Sequence, residues 1–590
     1  MQRIALVSDN IDKFNPADFP TDTSFHDRRD LDRVQRELRE VKGVSCLIYE
    51  QTCATEKRRR RKRGTMEDPK RFAFINDLVC EGCGDCSVES NCLSVEPKET
   101  PFGRKRKINL SSCNKDFSCL NGFCPSFVTI EGGSRRQKKP AGLEASALTA
   151  DLPAPDLPDL STPFDLLVTG VGGTGVVTLG ALITMAAHLE GKGASVLDFT
   201  GFAQKFGTVL SYIRLSAAPQ DLNQVRIDQA AADAVIGCDV VVSSAPKASA
   251  HYRAGTRIVL NRAEMPTGDL VLRRDADLMA GLREAEIAKA VGPENLSGFN
   301  ANEAAEALLG DAVLANVMML GYAWQKGLVP VSAMALDQAI ELNGVAIDKN
   351  RLAFAIGRAM AHDPDLVADF YQEDRKEEES LEEVIEHRAV FLAGYQDTAY
   401  ANSYRASLEA LRSQLPTEQA NELTLAAARS LFKLMAYKDE FEVARLMTGT
   451  HFEEQIAQEF DGDFKVNFHM APPLLSRRKD ARGRPEKKSF GPWLRPVLSL
   501  LARGRSLRGS RLNPFGYHEE ARLHRDLLGW YEDILTQAAS TYSAEQHQQW
   551  LEVLSAPMEI RGYGPVRLQA AKKERTKADA LMQKLAAKND

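Results

Sequence analysis

Seven of the ten cysteines of this chain lie within one stretch of 45 residues, and this cluster limits what the stretch can fold into more than any other feature. The sequence has no signal-peptide pattern and no run of about 18 apolar residues that would span a membrane, so we expect a cytoplasmic protein. In a reducing compartment, clustered cysteines indicate metal binding or catalysis rather than disulfides. The candidate ligands are Cys80, Cys83, Cys86, Cys92, Cys113, Cys119 and Cys124.

The spacing within this group favours an iron–sulfur cluster over zinc. Two residues separate Cys80 from Cys83 and Cys83 from Cys86, so three thiolates can surround one face of a [4Fe-4S] cluster. A structural zinc site more often uses two well-separated pairs of ligands. The proline after Cys124 matches the Cys-Pro ending of bacterial ferredoxin motifs. Either Cys92 or Cys124 can be the fourth ligand, and seven cysteines leave open whether there are one or two clusters.

A glycine-rich turn forms the second strong motif. Residues 166–175 have the pattern of a strand, a G-x-G-x-x-G turn and a helix start, and Asp198 ends the next strand pattern 23 residues after Gly175. In a dinucleotide-binding turn, the helix N-terminus binds pyrophosphate and the acid binds a ribose. The same glycines also permit a tight turn and close helix–strand packing, so their role is either ligand binding or structural. The residues of the turn are Gly170, Gly172, Gly173, Thr174 and Gly175.

Strand and helix patterns divide the rest of the chain. Residues 1–63 contain a strand, a charged helix, a strand and then the cationic run 57–63, which we interpret as a solvated linker or a contact for an acidic surface. The proline-rich stretch 134–163 predicts a linker. Between 164 and 365, strand patterns at DLLVTGVG, ASVLDF, VVVSSA and TRIVLN alternate with helical ones, which predicts a largely parallel sheet. Strand patterns are absent from 366–590, where amphipathic stretches predict helices.

The charge distribution excludes several classes of function. The chain has 75 Lys and Arg residues against 81 Asp and Glu, and a net charge of −6 does not indicate a nucleic-acid-binding protein. Twelve Lys and Arg residues lie between Ser476 and Arg511, where only Asp480 and Glu486 are acidic, and we expect a basic surface segment there. No Ser/His/Asp pattern and no HExxH motif is evident, which disfavours a hydrolase. We expect neither nucleic acid nor a membrane as a partner.

Several segments together resemble the 2-oxoacid:ferredoxin oxidoreductases, and among them the fused bacterial indolepyruvate type. The most specific are the cysteine block, CEGCGDCSVESNCLSVEPKETPFGRKRKINLSSCNKDFSCLNGFCPSFVTIEGG, and the glycine block, TGVGGTGVVTLGALITMAAHLEGKGASVLDFTGFAQKFGTVLSYIRLS. Further similar stretches are IYEQTCATEKRRRRKRG, MAYKDEFEVARLMTG and LRGSRLNPFGYHEEARL. The resemblance covers nearly the whole chain.

The resemblance implies an oxidative decarboxylation. Members of this family decarboxylate a 2-oxo acid on thiamine diphosphate with Mg²⁺, pass electrons through [4Fe-4S] clusters to ferredoxin, and transfer the acyl group to coenzyme A. It implies that the seven clustered cysteines are cluster ligands. It also implies that the glycine turn belongs to a Rossmann-like gamma-type domain beside the active site or the coenzyme A channel, which lowers our expectation of a dinucleotide there.

The sequence departs from the family in its thiamine site. A thiamine diphosphate site normally begins at Gly-Asp-Gly, and this tripeptide does not occur in the chain. The chain therefore resembles the C-terminal half of the fused enzyme, and we expect it to be inactive without a thiamine-binding half; homo-oligomerisation is left open. Two alternatives remain: a non-catalytic iron–sulfur remnant of a truncated gene, and a dinucleotide-dependent iron–sulfur oxidoreductase. Neither the catalytic residues nor the particular 2-oxo acid follows from the sequence.

The expected fold class is multidomain α/β, with a ferredoxin-like iron–sulfur segment, a Rossmann-like gamma-type domain and a mainly α-helical C-terminal domain. The expected regions are 1–63, the end of a thiamine-binding domain; 68–133, the iron–sulfur domain; 134–163, the linker; 164–365, the gamma-type domain; and 366–590, the helical domain.

Overall fold

A computed structural model describes residues 1–136, 143–200, 207–368, 370–371, 379–472, 478–479 and 483–587. Parts of the predicted linker and of the predicted basic segment therefore lie outside the described residues. The chain divides into two compact units, which are Met1–Pro69 with Asn114–Asp116, and Lys70–Cys113 with Phe117–Asp590.

The first unit contains a three-stranded parallel sheet. Its strands are ordered β2-β1-β3. Val34 and Leu38, four residues apart on one face of α1, are buried against the sheet. Strand β2 was not predicted, because all its residues are half-buried and show no alternation. The elements are β1 (Arg3–Ser8), β2 (Thr23–Asp27), α1 (Leu31–Arg39), β3 (Ser45–Glu50) and α2 (Ala54–Lys62). The cationic run lies mostly in α2, so it is helical.

The cysteine segment opens the second unit. Strands β4 and β7 pair antiparallel, and the sequence between them contains a hairpin of β5 and β6. The elements are β4 (Arg71–Ile75), α3 (Asp85–Ser90), β5 (Val95–Lys98), β6 (Lys105–Ile108) and β7 (Phe127–Arg135). Most of the clustered cysteines lie in the segments that connect these strands, so the strands position two loops that contain cysteines.

The next region contains a six-stranded sheet and several helices. The strands of the sheet are ordered β13-β12-β11-β8-β10-β9. Of these six strands, β10 alone runs opposite to the other five, so the prediction of a largely parallel sheet is confirmed. The strands are β8 (Phe164–Val171), β9 (Gly193–Thr200), β10 (Thr208–Ser216), β11 (Ala234–Gly237), β12 (Arg257–Asn261) and β13 (Leu296–Phe299). The helices are α4 (Ala145–Thr149), α5 (Val176–Leu189), α6 (Val240–Ser244), α7 (Pro246–Ser249), α8 (Gly268–Leu272), α9 (Ala280–Val291), α10 (Ala301–Leu309), α11 (Ala315–Gln325), α12 (Ala333–Asn343) and α13 (Ile347–His362).

One strand prediction in this region is wrong. The segment VVVSSA lies mainly in helix α6, and the strand is the preceding AVIG of β11. Three consecutive valines favour a strand by propensity, but the Asp239 side chain accepts a hydrogen bond from the Val242 N–H at 2.7 Å and starts a helix. A local capping interaction therefore overrides the intrinsic preference.

The C-terminal region is mainly helical, as predicted. Its helices are α14 (Leu381–Tyr395), α15 (Thr398–Gln414), α16 (Thr417–Met435), α17 (Glu440–Thr448), α18 (Thr450–Glu459), α19 (Leu494–Arg503), α20 (Glu519–Thr541), α21 (His547–Ser555) and α22 (Gly564–Ala587). Among the described residues, no helix has both the length and the apolar character that crossing a membrane requires.

This region also contains two strands, which corrects the expectation that strand patterns end near residue 366. They are β14 (Phe460–Met470) and β15 (Lys488–Phe490), and they extend the cysteine segment's sheet to the order β15-β14-β7-β4. Phe464, Val466 and Phe468 alternate with polar residues, which is a strand pattern. The sheet therefore combines strands from two parts of the sequence that are far apart.

Candidate functional site

The loop after β4 carries the first three cysteines, and a buried asparagine shapes its start. The Asn76 side-chain oxygen accepts hydrogen bonds from the N–H groups of Leu78 at 3.1 Å and Val79 at 3.3 Å. The Cys80 N–H donates to the Asn76 carbonyl at 3.0 Å. The Asn76 amide also donates to the Leu446 carbonyl at 2.9 Å, so α17 supports the loop directly. These bonds close a tight turn that points the chain toward the remaining cysteines.

Two glycines allow close backbone contacts within the site. Gly82 has φ +63°, and a Cβ there would lie 2.2 Å from the Arg104 carbonyl oxygen. A Cβ on Gly122 would lie 2.9 Å from the Cα of Cys86. Glycine is thus needed between Cys80 and Cys83, and again two residues before Cys124. We call residues 76–92 and 117–125 together the cysteine loops.

Five of the seven predicted ligands come together. Cys80, Cys86 and Cys119 are buried, while Cys83 and Cys124 are half-buried. Burial raises the pKa of Cys86 well above its usual value, and the four other thiols of this group raise the pKa further when they are ionised. Burial likewise raises the pKa of Cys83 and of Cys124. This arrangement needs a source of positive charge before several of these thiols can ionise together.

The two other predicted ligands are Cys92 and Cys113. Cys92 is half-buried and packs against the apolar cluster that contains Cys80, Cys86 and Cys119. Cys113 is half-buried after β6, where its N–H donates to the Asn109 carbonyl at 3.0 Å. Within the described residues, no group of three or more His, Cys, Asp or Glu side chains is placed to hold one metal ion. In a four-iron cluster each thiolate binds a different iron atom, so a cluster does not require such a group.

A lysine from the C-terminal region contacts the second cysteine loop. The Lys487 ammonium donates to the carbonyl oxygens of Gly122 at 2.7 Å and Cys124 at 3.0 Å. Burial lowers the pKa of Lys487, whereas the nearby Cys124, Cys86 and Cys119 raise it when they are ionised. The chain thus holds an ammonium group beside the thiols.

Ion pairs with the C-terminal region hold the first cysteine loop. Arg484 donates to the Asp85 carboxylate at 3.2 Å and to the Glu89 carboxylate at 2.8 Å. Glu81 pairs with Lys433 at 3.0 Å and also with Lys438. Every carboxylate between Cys80 and Cys92 is therefore matched by a cation from beyond residue 430.

Sequence reasoning did not identify these cations. Arg484 and Lys487 belong to the basic segment that we expected at the surface, but the Arg484 side chain is only 9% exposed and Lys487 is half-buried. The expectation of a basic surface segment is thus wrong for these two residues. The excess of cations between Ser476 and Arg511 was the available signal, and it could not show which of them face the cysteines.

The glycine-rich turn connects β8 to α5, as predicted. A Cβ on Gly170 would lie 2.7 Å from a Val176 methyl group, and the Gly172 N–H donates to the Gly207 carbonyl at 2.7 Å. The Thr174 hydroxyl donates to the Val171 carbonyl at 2.8 Å. Gly173 and Gly175 have φ +88° and +105°. These contacts are the close packing and tight turn of the structural interpretation.

The geometry around the turn differs from a dinucleotide-binding motif. Strand β10 lies between β8 and β9, so Asp198 on β9 is two strands away from the turn. Its carboxylate accepts a hydrogen bond from the Ser211 hydroxyl at 2.6 Å. In the dinucleotide motif, the acidic residue ends the strand that follows the turn and reaches the ribose of the same ligand. The Asn316 amide donates to the Thr174 carbonyl at 3.1 Å, so α11 braces the turn from the other side.

Comparisons with known proteins identify two regions. Residues 165–360 match the family described as pyruvate ferredoxin/flavodoxin oxidoreductase, and residues 381–580 match a family of unknown function (DUF6537). Indolepyruvate oxidoreductase subunit IorB of Pyrococcus horikoshii is 26% identical over 199 residues, which are 33% of this chain and 94% of that protein. The protein of the same name from Thermococcus kodakarensis is 25% identical over 199 residues, with the same two shares of 33% and 94%.

One similar solved structure is pyruvate oxidoreductase subunit PORC from Thermotoga maritima. It is 17% identical, with a TM-score of 0.25, and the match covers 34% of this chain and 96% of that chain. The family match falls on the glycine-turn region, the part of the chain for which a gamma-type domain was predicted. A model of the pyruvate ferredoxin/flavodoxin oxidoreductase family thus matches residues 165–360, and with the two IorB relatives it confirms, on part of the chain, the resemblance to the 2-oxoacid:ferredoxin oxidoreductases.

Proposed function

We propose that this chain is the electron-transfer and gamma-type portion of a 2-oxoacid:ferredoxin oxidoreductase of the indolepyruvate type. Such an enzyme oxidatively decarboxylates an aryl-type 2-oxo acid to its acyl-coenzyme A and reduces ferredoxin. The observation that carries the proposal is the group of five enclosed cysteines in the same chain as a domain of this oxidoreductase family.

In this proposal Cys80, Cys83, Cys86 and Cys124 hold one [4Fe-4S] cluster. An iron–sulfur cluster takes up and releases one electron at a time, which a two-electron oxidation coupled to ferredoxin requires. The residues fit the cluster because buried thiols need compensating positive charge to become thiolates, and iron supplies it. Cys92, Cys113 and Cys119 are proposed as ligands of a second cluster, with a further group completing the set.

The proposed role of the protein around the cluster is to exclude water and fix the ligands. Burial of Cys80, Cys86 and Cys119 keeps solvent from three of the sulfurs. The Tyr563 hydroxyl donates to the Val79 carbonyl at 2.6 Å and holds the backbone next to Cys80. Such outer contacts orient the ligands and influence the reduction potential.

Thiamine diphosphate and its Mg²⁺ are proposed to reside on a partner polypeptide. The chain has no Gly-Asp-Gly, and the two relatives are named as subunits. Without this partner the chain would be inactive. The glycine turn, with its internally satisfied hydrogen bonds, is proposed as a structural element beside the shared active site or coenzyme A channel.

Anaerobic purification followed by iron, sulfide and zinc analysis tests the cluster. We expect about four iron and four sulfide per chain for one cluster, or about twice that for two. Cys83→Ser should lose iron, whereas Cys46→Ser, a matched change in the first unit, should keep it. Stoichiometric zinc without iron would refute the proposal.

Reconstitution with a thiamine-binding partner tests the activity. The mixture should reduce ferredoxin only when an aryl 2-oxo acid and coenzyme A are both present, and the chain alone should not. Iron without any reconstituted activity would favour the non-catalytic remnant, and tight binding of NAD or FAD would favour the dinucleotide alternative.

A further inference from the structure

Residues 381–580 match a family of unknown function. They supply four cations that contact the cysteine loops, together with a backbone contact at Leu446. The four are Lys433, Lys438, Arg484 and Lys487. We infer that this region is an electrostatic housing that raises the reduction potential of the cluster, with Lys487 as its principal cation. The inference rests on the proposed function, because it concerns a cluster held by the cysteine loops. It gives the helical region a role within the same oxidoreductase.

The contacts of Lys487 place a positive charge beside the cluster ligands. Its ammonium lies 2.7 Å from the Gly122 carbonyl oxygen and 3.0 Å from that of Cys124. It also lies 5.4 Å from the centre of the Phe127 ring. These acceptors are neutral groups, and the Asp85 carboxylate, which also acts on the Lys487 ammonium, is paired with Arg484.

The acidic residues of the first cysteine loop would have the opposite effect if they were unpaired. Glu81 adjoins Cys80 and is matched by Lys433 at 3.0 Å and by Lys438. Asp85 lies between Cys83 and Cys86 and is matched by Arg484 at 3.2 Å. The housing therefore neutralises two carboxylates that adjoin ligands. Lys487 then adds a further positive charge near the cluster.

The physical effect follows from the charge that reduction adds. One electron makes the cluster more negative by one unit, and a nearby fixed cation favours that state, most strongly where water is excluded. Loss of one such cation is expected to lower the ratio of reduced to oxidised cluster about tenfold at a fixed potential. For a one-electron couple this is a fall of about 59 mV in the midpoint potential.

Lys487→Met in the full-length, anaerobically purified chain tests the inference. Iron and sulfide content are measured first, and a redox titration followed by electron paramagnetic resonance then gives the midpoint potential. The expected result is unchanged iron and a midpoint lower by about 59 mV. Lys488→Met is the matched control, because it removes the same charge from the adjacent exposed residue, and its midpoint should stay at the wild-type value. Unchanged iron with a wild-type midpoint in Lys487→Met would overturn the inference.

Two further variants keep the test decisive if Lys487→Met fails to retain iron. Lys487→Arg preserves the charge and should keep both the iron content and a near-wild-type midpoint. Lys433→Met removes a different cation of the housing and should lower the midpoint in the same direction; an unchanged midpoint there would overturn the inference. Failure of the proposed function is distinguishable, since it would appear in the wild-type chain as an absent iron–sulfur cluster or as a cluster without reconstituted activity, and neither result depends on the Lys487 variants.

Discussion

At the scale of single residues, Asp239 shows how a capping group can reduce stability. Its carboxylate starts helix α6 through one oxygen, and among the described residues no group donates to the other oxygen. Burial raises its pKa to about 6, although the N–H groups of Val242 and Val241 lower it. Asp239 stays protonated in the folded chain between pH 3.8 and about 6, while it ionises in the unfolded chain. The free energy of unfolding therefore falls as the pH rises through that window, because only the unfolded chain releases this proton there.

Asp239→Asn should remove this loss. The amide oxygen can still accept the Val242 N–H, and no charge is buried at high pH. We expect the free energy of unfolding to rise by about 1–3 kcal/mol at pH 8, with a much smaller gain at pH 4. Urea unfolding at the two pH values measures the difference. An equal gain at both would contradict the burial of a charge as the cause.

For His469 on β14, we expect the free energy of unfolding to depend on pH with the opposite sign. Burial lowers its pKa to about 4, and the positive charges of Lys487 and Arg71 lower it further. Its ring lies 3.0 Å from the Thr129 hydroxyl on β7. As the pH falls from 6.5, the unfolded chain takes up a proton that the folded chain accepts only near pH 4, so stability is lost through that window.

His469→Gln should therefore weaken the loss of stability on acidification. The expected difference between variant and wild type grows by about 1–3 kcal/mol between pH 7 and pH 5. Urea unfolding at both pH values is the measurement. His188→Gln, which changes an exposed histidine on α5, should keep the wild-type dependence, and the same slope in His469→Gln would refute the assignment.

At the scale of elements, the first cysteine loop depends on Gly82. An alanine there would have to adopt a left-handed backbone conformation, and its Cβ would lie 2.2 Å from the Arg104 carbonyl oxygen. The loop must therefore shift. Gly82→Ala should lose most of its iron and visible absorbance. Gly191 has a similar φ of +71°, and a Cβ added there has no heavy atom within 4 Å. Gly191→Ala should therefore lower the free energy of unfolding by about 1–2 kcal/mol and keep its iron. Equal iron in both variants would show that the close contact is unimportant.

The elements also show which features the sequence could predict. The strand, turn and helix around Gly170–Gly175 and the grouping of Cys80, Cys83 and Cys86 follow from spacing over a few residues. The insertion of β10 between β8 and β9 does not, because strand order depends on pairing between distant segments. The position of Lys487 against the Cys124 carbonyl likewise depends on how β14 and β15 join the sheet.

At the scale of the whole molecule, the cysteine segment and the C-terminal region fold together. Phe468 of β14 pairs with Val128 of β7, and both side chains are buried in one apolar cluster. Without β14, the edge of β7 and its buried Val128 and Ile130 would be exposed to water. The cysteine loops would also lose Lys433, Arg484 and Lys487. The sheet and the ion pairs thus make the cysteine segment dependent on the helical region.

Cutting the chain between residues 371 and 379 tests this dependence. Fragments 1–371 and 379–590, produced together with a tag on the first, should copurify and retain iron, because the sheet and the ion pairs reassemble. Fragment 1–371 alone should aggregate and hold little iron. Phe468→Asp in the second fragment should abolish copurification by placing a charge in the shared core, whereas Lys465→Ala on the exposed side of the same strand should not. A soluble fragment 1–371 with full iron would mean that the cysteine segment is independent and that the helical region has another role.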